Sequence, residues 1–178
     1  MPDRVEITGG FTMLKQTAVA LLLATAFSGA RTRAAEPPAA APPEPAPVYG
    51  PTITLAQAKR VLAAAEAQAS KMHADGAVFA IVQPGGALVL FEKMDDSTYV
   101  SIEFAQAKAR TAAITRRATG GGPGGAPPAP ELIGLPGGLP IVVKGRTIGA
   151  IGVSGAEGGG DTVIAQAAIH ALESGESP

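Results

Sequence analysis

The sequence predicts an α+β domain in which helices pack on an antiparallel sheet. Apolar residues recur at intervals of three and four between residues 55 and 72, which is the spacing of one helix face. Two pairs of short β-rich runs are each joined by a tight turn, at residues 83–86 and 144–145. With further helical segments after each pair, the predicted order is α-β-β-α-β-β-α. Sequential hairpins with flanking helices define the α+β class.

The first helix is predicted to begin behind a capping box formed by Thr54 and Gln57. The threonine hydroxyl can accept an early backbone N–H, and the glutamine side chain can reach back to the N-cap. Gly76 is predicted to end this helix in the left-handed conformation that glycine adopts readily. The hairpin that follows has runs at 77–82 and 87–93, joined by a proline–glycine turn of type II. Alternation predicts two faces for the first run, with Phe79 and Ile81 on one and Val78, Ala80 and Val82 on the other.

The second helix is predicted from about Tyr99 to Thr119. Its inward face consists mostly of small residues, which allow close approach to a sheet or to a copy of the helix in another subunit: Ile102, Ala105, Ala109 and Ala112. The basic residues off this stripe predict a solvated face: Lys108, Arg110, Arg116 and Arg117.

The chain after the second helix is predicted to hold a loop, a hairpin and a final helix. Residues 120–131 are rich in glycine and proline and predict a loop. Strands are predicted at 141–143 and 146–153, around a tight turn. A glycine-rich turn then leads to Asp161, which is predicted to be the N-cap of a helix over residues 162–173.

The N-terminal segment has the pattern of a secretory signal. Lys15 precedes an apolar run of about a dozen residues, too short to span a bilayer, and small residues then offer cleavage after Ala30 or Ala34. We therefore expect a periplasmic or secreted protein with no membrane span in its mature form. The twelve residues before Met13 do not fit a signal peptide, and we expect that the start codon has been assigned too far upstream. The alternative for the apolar run is an interfacial or buried helix.

Composition shifts divide the chain into four predicted segments. Residues 1–34 are an upstream extension and signal peptide, and the proline- and alanine-rich residues 35–51 are a linker that favours extended conformation. Residues 52–173 are the folded domain, and 174–178 are a tail.

Charge and cysteine content exclude several classes of function. The chain has 14 basic and 15 acidic residues, so it lacks the basic footprint of a nucleic-acid-binding protein. Because it contains no cysteine, disulfides, thiolate nucleophiles and iron–sulfur clusters are excluded. Its two histidines are far apart in sequence, and no nucleophile–base set is visible. These features favour a protein without catalytic activity.

Three stretches of the predicted domain carry recognisable motifs. They are residues 55–58, residues 85–95 followed by 105–112, and residues 135–155 with Asp161 beyond them. Together they resemble the GlcG/HbpS family, which includes the C-terminal domain of PduO-type proteins, over nearly all of residues 52–173. The resemblance implies a profilin-like fold, a homo-oligomer and, for some secreted members, haem binding.

We therefore expect an exported, non-catalytic haem-binding protein of the GlcG/HbpS type. The alternative is an accessory protein or enzyme in small hydroxy-acid, aldehyde or corrinoid metabolism, because relatives occur beside glycolate and diol metabolism and the PduO-type domain is linked to corrinoids. A third hypothesis is a purely structural oligomer whose alanine-rich helix faces form the subunit contacts.

Haem iron usually takes an axial ligand from His, Met, Cys or Tyr. In the absence of cysteine the candidates are His73, His170, Met72, Met94, Tyr49 and Tyr99. Of these, His73 and Met94 are predicted to bind the cofactor. The competing interpretation of His73 is that it ends the first helix, where an imidazolium would complement the helix dipole. For His170, a solvent-facing position is the alternative.

Lys108 and Thr111 complete the predicted cofactor-binding residues. Both fall in the Ala-x-x-Lys-Ala-x-Thr-Ala stretch that carries the resemblance, where a carboxylate of haem or of a small acid could bind. Helix packing would give the same pattern. The glycine-rich turn at 154–160 could present N–H groups to an anion, but Asp161 would compete for those donors.

Overall fold

The computed structural model describes residues 45–121 and 132–175, which form one five-stranded sheet and three helices. In chain order the elements are β1 (Val48–Tyr49), α1 (Leu55–Lys71), β2 (Val78–Val82), β3 (Leu88–Lys93), α2 (Tyr99–Thr115), β4 (Gly138–Val143), β5 (Arg146–Ser154) and α3 (Gly160–Ser174). The predicted α+β class is confirmed. The signal segment, most of the linker, most of the glycine–proline loop and the last three residues lie outside the described residues.

The central strand of the sheet is β5. It pairs antiparallel with β4 along one edge and with β2 along the other, and β2 pairs antiparallel with β3. The β4–β5 hairpin closes at Lys144 and Gly145, whose φ angles of 50° and 72° suit a tight turn of type I′. The predicted antiparallel sheet is therefore present, and Pro140 lies in β4, which pairs only with β5.

Two apolar layers cover the two faces of this sheet. Helices α1 and α3 share a core with Phe79 and Ile81 on one face, whereas α2 packs on Ala80 and its neighbours on the other. The predicted division of β2 between two faces is confirmed. On the first face, the buried helix residues are mostly alanine and branched aliphatics: Ala58, Val61, Leu62, Ala65, Ala69, Ile164, Ala165, Ala168 and Leu172.

A short strand lies where the sequence predicted only a linker. Val48 and Tyr49 pair in parallel with Arg146 and Thr147 at the beginning of β5. The prediction of a bare spacer over all of residues 35–51 was therefore wrong for these two residues. Their strand was not visible in the sequence because two residues carry no periodicity.

The helix ends differ from their predicted positions. Helix α1 ends at Lys71, and His73, not Gly76, has the left-handed φ of 54°. Helix α2 ends at Thr115, where Arg116 takes the left-handed position. Helix α3 begins at Gly160 behind the N-cap Gly159, so Asp161 lies in the first turn and not at the cap.

The hairpin turn between β2 and β3 also differs in type. The Gly86 N–H donates to the Gln83 carbonyl at 2.8 Å, and the positive φ of 83° is at Gly86. A type II turn would require positive φ at Gly85, which does not have it. The turn is therefore closer to a type I turn followed by a glycine bulge.

Within the described residues, no helix is both long enough and apolar enough to cross a lipid bilayer.

Candidate ligand-binding site

Helix α2 lies unusually close to the sheet because the residues between them are small. A Cβ placed on Gly152 would lie 2.0 Å from the Ala105 carbonyl oxygen, and one on Gly138 would lie 2.5 Å from the Lys108 carbonyl oxygen. These two glycines are partners across β4 and β5. The helix backbone thus rests on a glycine pair, which fixes where the side chains of α2 emerge.

Lys108 is buried in an ion pair. Its Nζ lies 2.7 Å from Oδ2 of Asp161 and donates to the Val153 carbonyl oxygen at 2.9 Å. The two side chains are only 3% and 14% exposed. The prediction that Lys108 belongs to a solvated face was wrong, because the close approach of α2 brings its ammonium to the ends of β5 and α3.

Asp161 also holds the turn between β5 and α3. Its Oδ1 accepts the Ala156 N–H at 2.9 Å. This is the competition for turn donors that the sequence predicted, although Asp161 is in the first turn of the helix and not at its N-cap. The sequence did not identify Asp161 as the partner of Lys108. A signal for the burial of Lys108 was its position beside Ala109 of the inward stripe, because this position directs the lysine stem toward the sheet.

The glycine before β4 is required by this ion pair. Gly137 has a φ of 111°, and a Cβ there would lie 2.6 Å from the Val153 carbonyl oxygen and 2.7 Å from the Asp161 Cβ. Any side chain would be both strained and in collision with the pair. The Leu135–Pro140 motif therefore has a local packing role at this end of the sheet.

Thr111 is also buried and occupied. It is 2% exposed, and its Oγ1 accepts the Ile133 N–H at 3.1 Å, which ties the segment before β4 to α2. The Thr119 hydroxyl likewise accepts the Gly138 N–H, at 2.8 Å. Both threonines hold the chain that enters β4.

His73 lies in the open beside a cleft at the end of α1. The cleft has a volume of about 280 Å³ and is lined by the α1–β2 and β5–α3 loops: Met72, His73, Ala74, Asp75, Gly76, Gly155, Ala156 and Glu157. The His73 side chain is exposed and makes no hydrogen bond within residues 45–121 and 132–175. Its imidazole nitrogens are free to bind a ligand.

The backbone at His73 is strained in a way that sequence alone did not reveal. The Ala74 N–H donates to the Ala69 carbonyl at 2.9 Å and the His73 N–H to the Ser70 carbonyl at 3.2 Å. This is the Schellman arrangement, in which glycine usually occupies the position of His73. A left-handed histidine costs about 1 kcal/mol or more relative to glycine.

Met94 is the fourth predicted residue, and it is half-buried against the α1–α3 core. Its N–H donates to the Ala77 carbonyl at 3.0 Å, and its own carbonyl accepts from the side chains of Lys93 and Ser97. His73, Met94 and the Lys108 ammonium all lie toward the end of the sheet where β2 begins and where β3 and β5 end. Thr111 lies one turn further along α2.

Of the remaining candidate ligands, Met72 lines the cleft beside His73, and the other three lie elsewhere. His170 is exposed on α3, as predicted, and Tyr99 is 89% exposed. The Tyr49 hydroxyl donates to the Ile114 carbonyl at 2.9 Å, and the Arg116 guanidinium lies 4.8 Å from the centre of its ring. Across the described residues, no three His, Cys, Asp or Glu side chains gather as a metal site.

The carboxyl groups of Glu66 on α1 and Glu92 on β3 face each other. A hydrogen bond to Glu92, burial and repulsion by Glu92 together raise the pKa of Glu66 from 4.5 to about 7.

This pair predicts a pH-dependent stability. Between pH 4.5 and about 7 the folded state binds more protons than the unfolded state, so the free energy of unfolding falls as pH rises. In Glu66→Gln this fall is removed, and at pH 8 the variant is expected to be more stable than the parent by about 1 kcal/mol or less, given solvent screening. Thermal melts across this pH range test it, with the exposed Glu173→Gln as control. Equal slopes for parent and Glu66→Gln would contradict the assignment.

These features define a small three-layer α+β domain with an open cleft and a free histidine at one edge of its sheet. The chain belongs to the family described as haem-degrading protein HbpS-like, whose model matches residues 53–170.

Curated relatives and a solved structure agree with this assignment. The chain is 36% identical over 129 residues to an uncharacterized 15.0 kDa protein of the dhaT–dhaS intergenic region of Citrobacter freundii, covering 66% of this chain and 90% of that one. It is 38% identical over 109 residues to protein GlcG of Escherichia coli K12, covering 57% and 81%. It also resembles the crystal structure of a PduOC–haem complex, with a TM-score of 0.60 and 28% identity over 67% of this chain and 94% of that one.

Proposed function

We propose that this protein is an exported haem-binding protein and that His73 is the axial ligand. The observation that carries the proposal is a strained, exposed histidine beside a cleft, at a helix end where glycine would be more stable. Strained backbone conformations are found often at functional sites. Arg116 and Lys144 also have a positive φ, and His73 differs from them because its free imidazole lies beside a cleft. The family description and the PduOC–haem complex support haem as the ligand.

The side chains that line the cleft include types that bind haem in other proteins. Imidazole is a common axial ligand, and the partly exposed Met72 next to it supplies an apolar and polarisable contact. The volume of about 280 Å³ lies just below the usual range of about 300–1,000 Å³ for small-molecule pockets. The cleft is open, so a porphyrin held there would remain partly uncovered.

In this proposal the other predicted residues act through the loops that they hold. The Lys108 ammonium is committed to Asp161, which in turn fixes Ala156 in the wall of the cleft. Thr111 anchors the segment that enters β4, and the Met94 N–H donates to the carbonyl of Ala77, where the α1–β2 loop ends. All three are positioning residues for the cleft, and His73 is the residue that touches the ligand.

The role proposed is binding without turnover. When bound, haem would supply its iron, His73 would hold that iron through the imidazole, and the cleft would supply a shaped surface. The chain has no cysteine and a single histidine on the cleft, which supports a carrier or sensor role over catalysis. Export is supported by the signal pattern that begins at Met13.

The variant His73→Gly tests most directly whether His73 is the axial ligand. Because glycine relieves the left-handed strain, this variant is expected to be more stable than the parent by about 1 kcal/mol. Its affinity for haemin, measured from the Soret band, is expected to fall by at least about tenfold, which is about 1.4 kcal/mol. A loss of binding together with a gain of stability cannot be caused by unfolding.

His170→Ala is the matched control, because it removes the only other histidine and that residue is also exposed. It is expected to bind haemin like the parent. Equal affinities in the parent and His73→Gly would contradict the role of His73. A Soret band that is lost with time under reducing conditions in air would show haem degradation, and would contradict the proposal of binding without turnover.

A further inference from the structure

A second cleft lies at the opposite end of α1 from His73. It has a volume of about 260 Å³ and lies between the β4–β5 turn and the segment that joins β1 to α1. Its lining includes Ile148, which is 4% exposed, and Val143, which packs against the α1–α3 core. Pro51 adds a third apolar side chain from the segment before α1. This cleft therefore offers an apolar contact surface to a ligand.

Both walls of this cleft are held by backbone hydrogen bonds. On one side, the Gly50 N–H donates to the Thr147 carbonyl at 2.8 Å. The Ile53 N–H donates to the Ile148 carbonyl at the same distance. On the other side is the tight turn of the β4–β5 hairpin, whose strands are paired up to that turn. A ligand would therefore find the walls already formed, which lowers the ordering cost of binding.

Two cationic side chains, those of Lys144 and Arg146, also line this cleft. Both are exposed, and in the described part of the chain the Lys144 ammonium makes no ion pair or hydrogen bond. Arg146 is held in place because its guanidinium donates to the Tyr49 carbonyl at 3.2 Å. Its stem crosses Gly50, where a Cβ would lie 2.8 Å from the Arg146 Cβ. The other guanidinium N–H groups remain for a ligand, and no carboxylate lines the cleft.

We propose that this cleft binds a small organic acid with one carboxylate and a short apolar body. The carboxylate lies between the Lys144 ammonium and the Arg146 guanidinium, whose planar fork matches a carboxylate. The apolar body lies against Val143, Ile148 and Pro51. The volume of about 260 Å³ equals about nine water molecules at roughly 30 Å³ each, which suits a body of about six carbon atoms.

The composition of the lining separates this ligand from other classes. An inorganic anion would use the two cations and leave the apolar side chains in contact with water. An uncharged apolar molecule would leave both cations unused. Haem iron would find no axial ligand, because no histidine, methionine, cysteine or tyrosine lines this cleft. The proposal is therefore independent of the proposed haem site at His73.

Three probes separate the contribution of charge from that of apolar contact. Hexanoate, acetate and hexanamide are each titrated into the isotope-labelled chain, and binding is measured from backbone amide chemical shifts. Hexanoate is expected to shift the signals of Lys144, Gly145 and Ile148 and to saturate at millimolar concentration or below. Acetate lacks the apolar body and hexanamide lacks the charge, so each is expected to bind at least about tenfold more weakly.

Lys144→Asn removes one of the two charges without straining the turn. Asparagine adopts the left-handed φ of 50° at this position more readily than lysine, so the variant is expected to be at least as stable as the parent. Its affinity for hexanoate is expected to fall by about tenfold, as is that of Arg146→Gln, because each loses a charge-assisted hydrogen bond. Lys71→Asn makes the same charge change at the other end of α1 and is expected to bind hexanoate like the parent.

Several outcomes would overturn the proposal. These are an absence of hexanoate shifts, equal binding of acetate or hexanamide, and shifts centred on His73. Unchanged affinity in Lys144→Asn and Arg146→Gln, with thermal melts showing both variants folded, would contradict it as well. His73→Gly is expected to bind hexanoate like the parent, whatever its affinity for haemin, so the two sites are tested separately.

Discussion

Gly152→Ala is expected to lose more than about 3 kcal/mol of stability, a large part of the 5–15 kcal/mol typical of a small domain. The new Cβ would lie 2.0 Å from the Ala105 carbonyl oxygen and 2.5 Å from the Ala109 backbone nitrogen. Both contacts are with helix backbone, so no side-chain rotation relieves them. Helix α2 must move away from the sheet, which opens the interface between Ala105, Ala109 and Ala150. Denaturant unfolding measures the loss.

Gly85→Ala is the matched control for this substitution. A Cβ at Gly85 meets nothing within 4 Å, and the residue has no positive φ. Its stability is expected to change by less than about 0.5 kcal/mol, as for most surface positions. If Gly152→Ala were as mild as Gly85→Ala, α2 would not rest on the glycine pair of β4 and β5.

Lys108→Met is expected to cost about 3–5 kcal/mol, because it leaves Asp161 charged, largely buried and without its cation. The methionine has a similar volume, so the loss is electrostatic and not a cavity effect. Lys59→Met, which changes an exposed lysine on α1, is expected to be nearly neutral. Thermal and denaturant unfolding of the two variants give the comparison.

A double-mutant cycle separates the ion pair from other roles of Lys108. Asp161→Asn removes the charge and keeps an oxygen for the Ala156 N–H. Lys108→Met combined with Asp161→Asn is expected to be more stable than the sum of the single losses predicts, because no buried charge then lacks a partner. Strict additivity would show that the two side chains do not depend on each other.

Much of the fold could be predicted from the sequence because local signals and packing agree. The capping box at Thr54 forms as predicted, with the Gln57 N–H donating to the threonine hydroxyl at 3.2 Å and the Gln57 side chain accepting the Thr54 N–H at 2.9 Å. The alternation of β2 predicted which of its residues face each helix layer. The small residues of α2 predicted a close approach to the sheet, which the glycines of β4 and β5 make possible.

The features that could not be predicted depend on tertiary contacts. β1 is a strand only because β5 offers it an edge, and the end of α1 at Lys71 is set by the Schellman bonds and not by a glycine. Lys108 was assigned to solvent because charged residues are rarely buried, and its burial depends on Asp161, which lies 53 residues away. A single sequence does not show which of its acidic residues will pair with a buried lysine.

The candidate site was predicted in part. The sequence named His73 as one of six candidate ligands, and the structure adds its strain, its exposure and the cleft beside it. Lys108, Thr111 and Met94 remain predictions as cofactor-binding residues, and we propose that they act by positioning the walls of the cleft. Met72 and the β5–α3 turn complete the walls of the cleft. The spacing of residues along the sequence could not assign them to that cleft.

The central claim is that the folded domain binds haem at the edge of the sheet beside His73. Titration of the purified protein with haemin tests it most directly. We expect a shifted Soret band that saturates at a fixed ratio of haem to chain and that carries the spectrum of a histidine-ligated iron. A spectrum that matches free haemin at every ratio would contradict it.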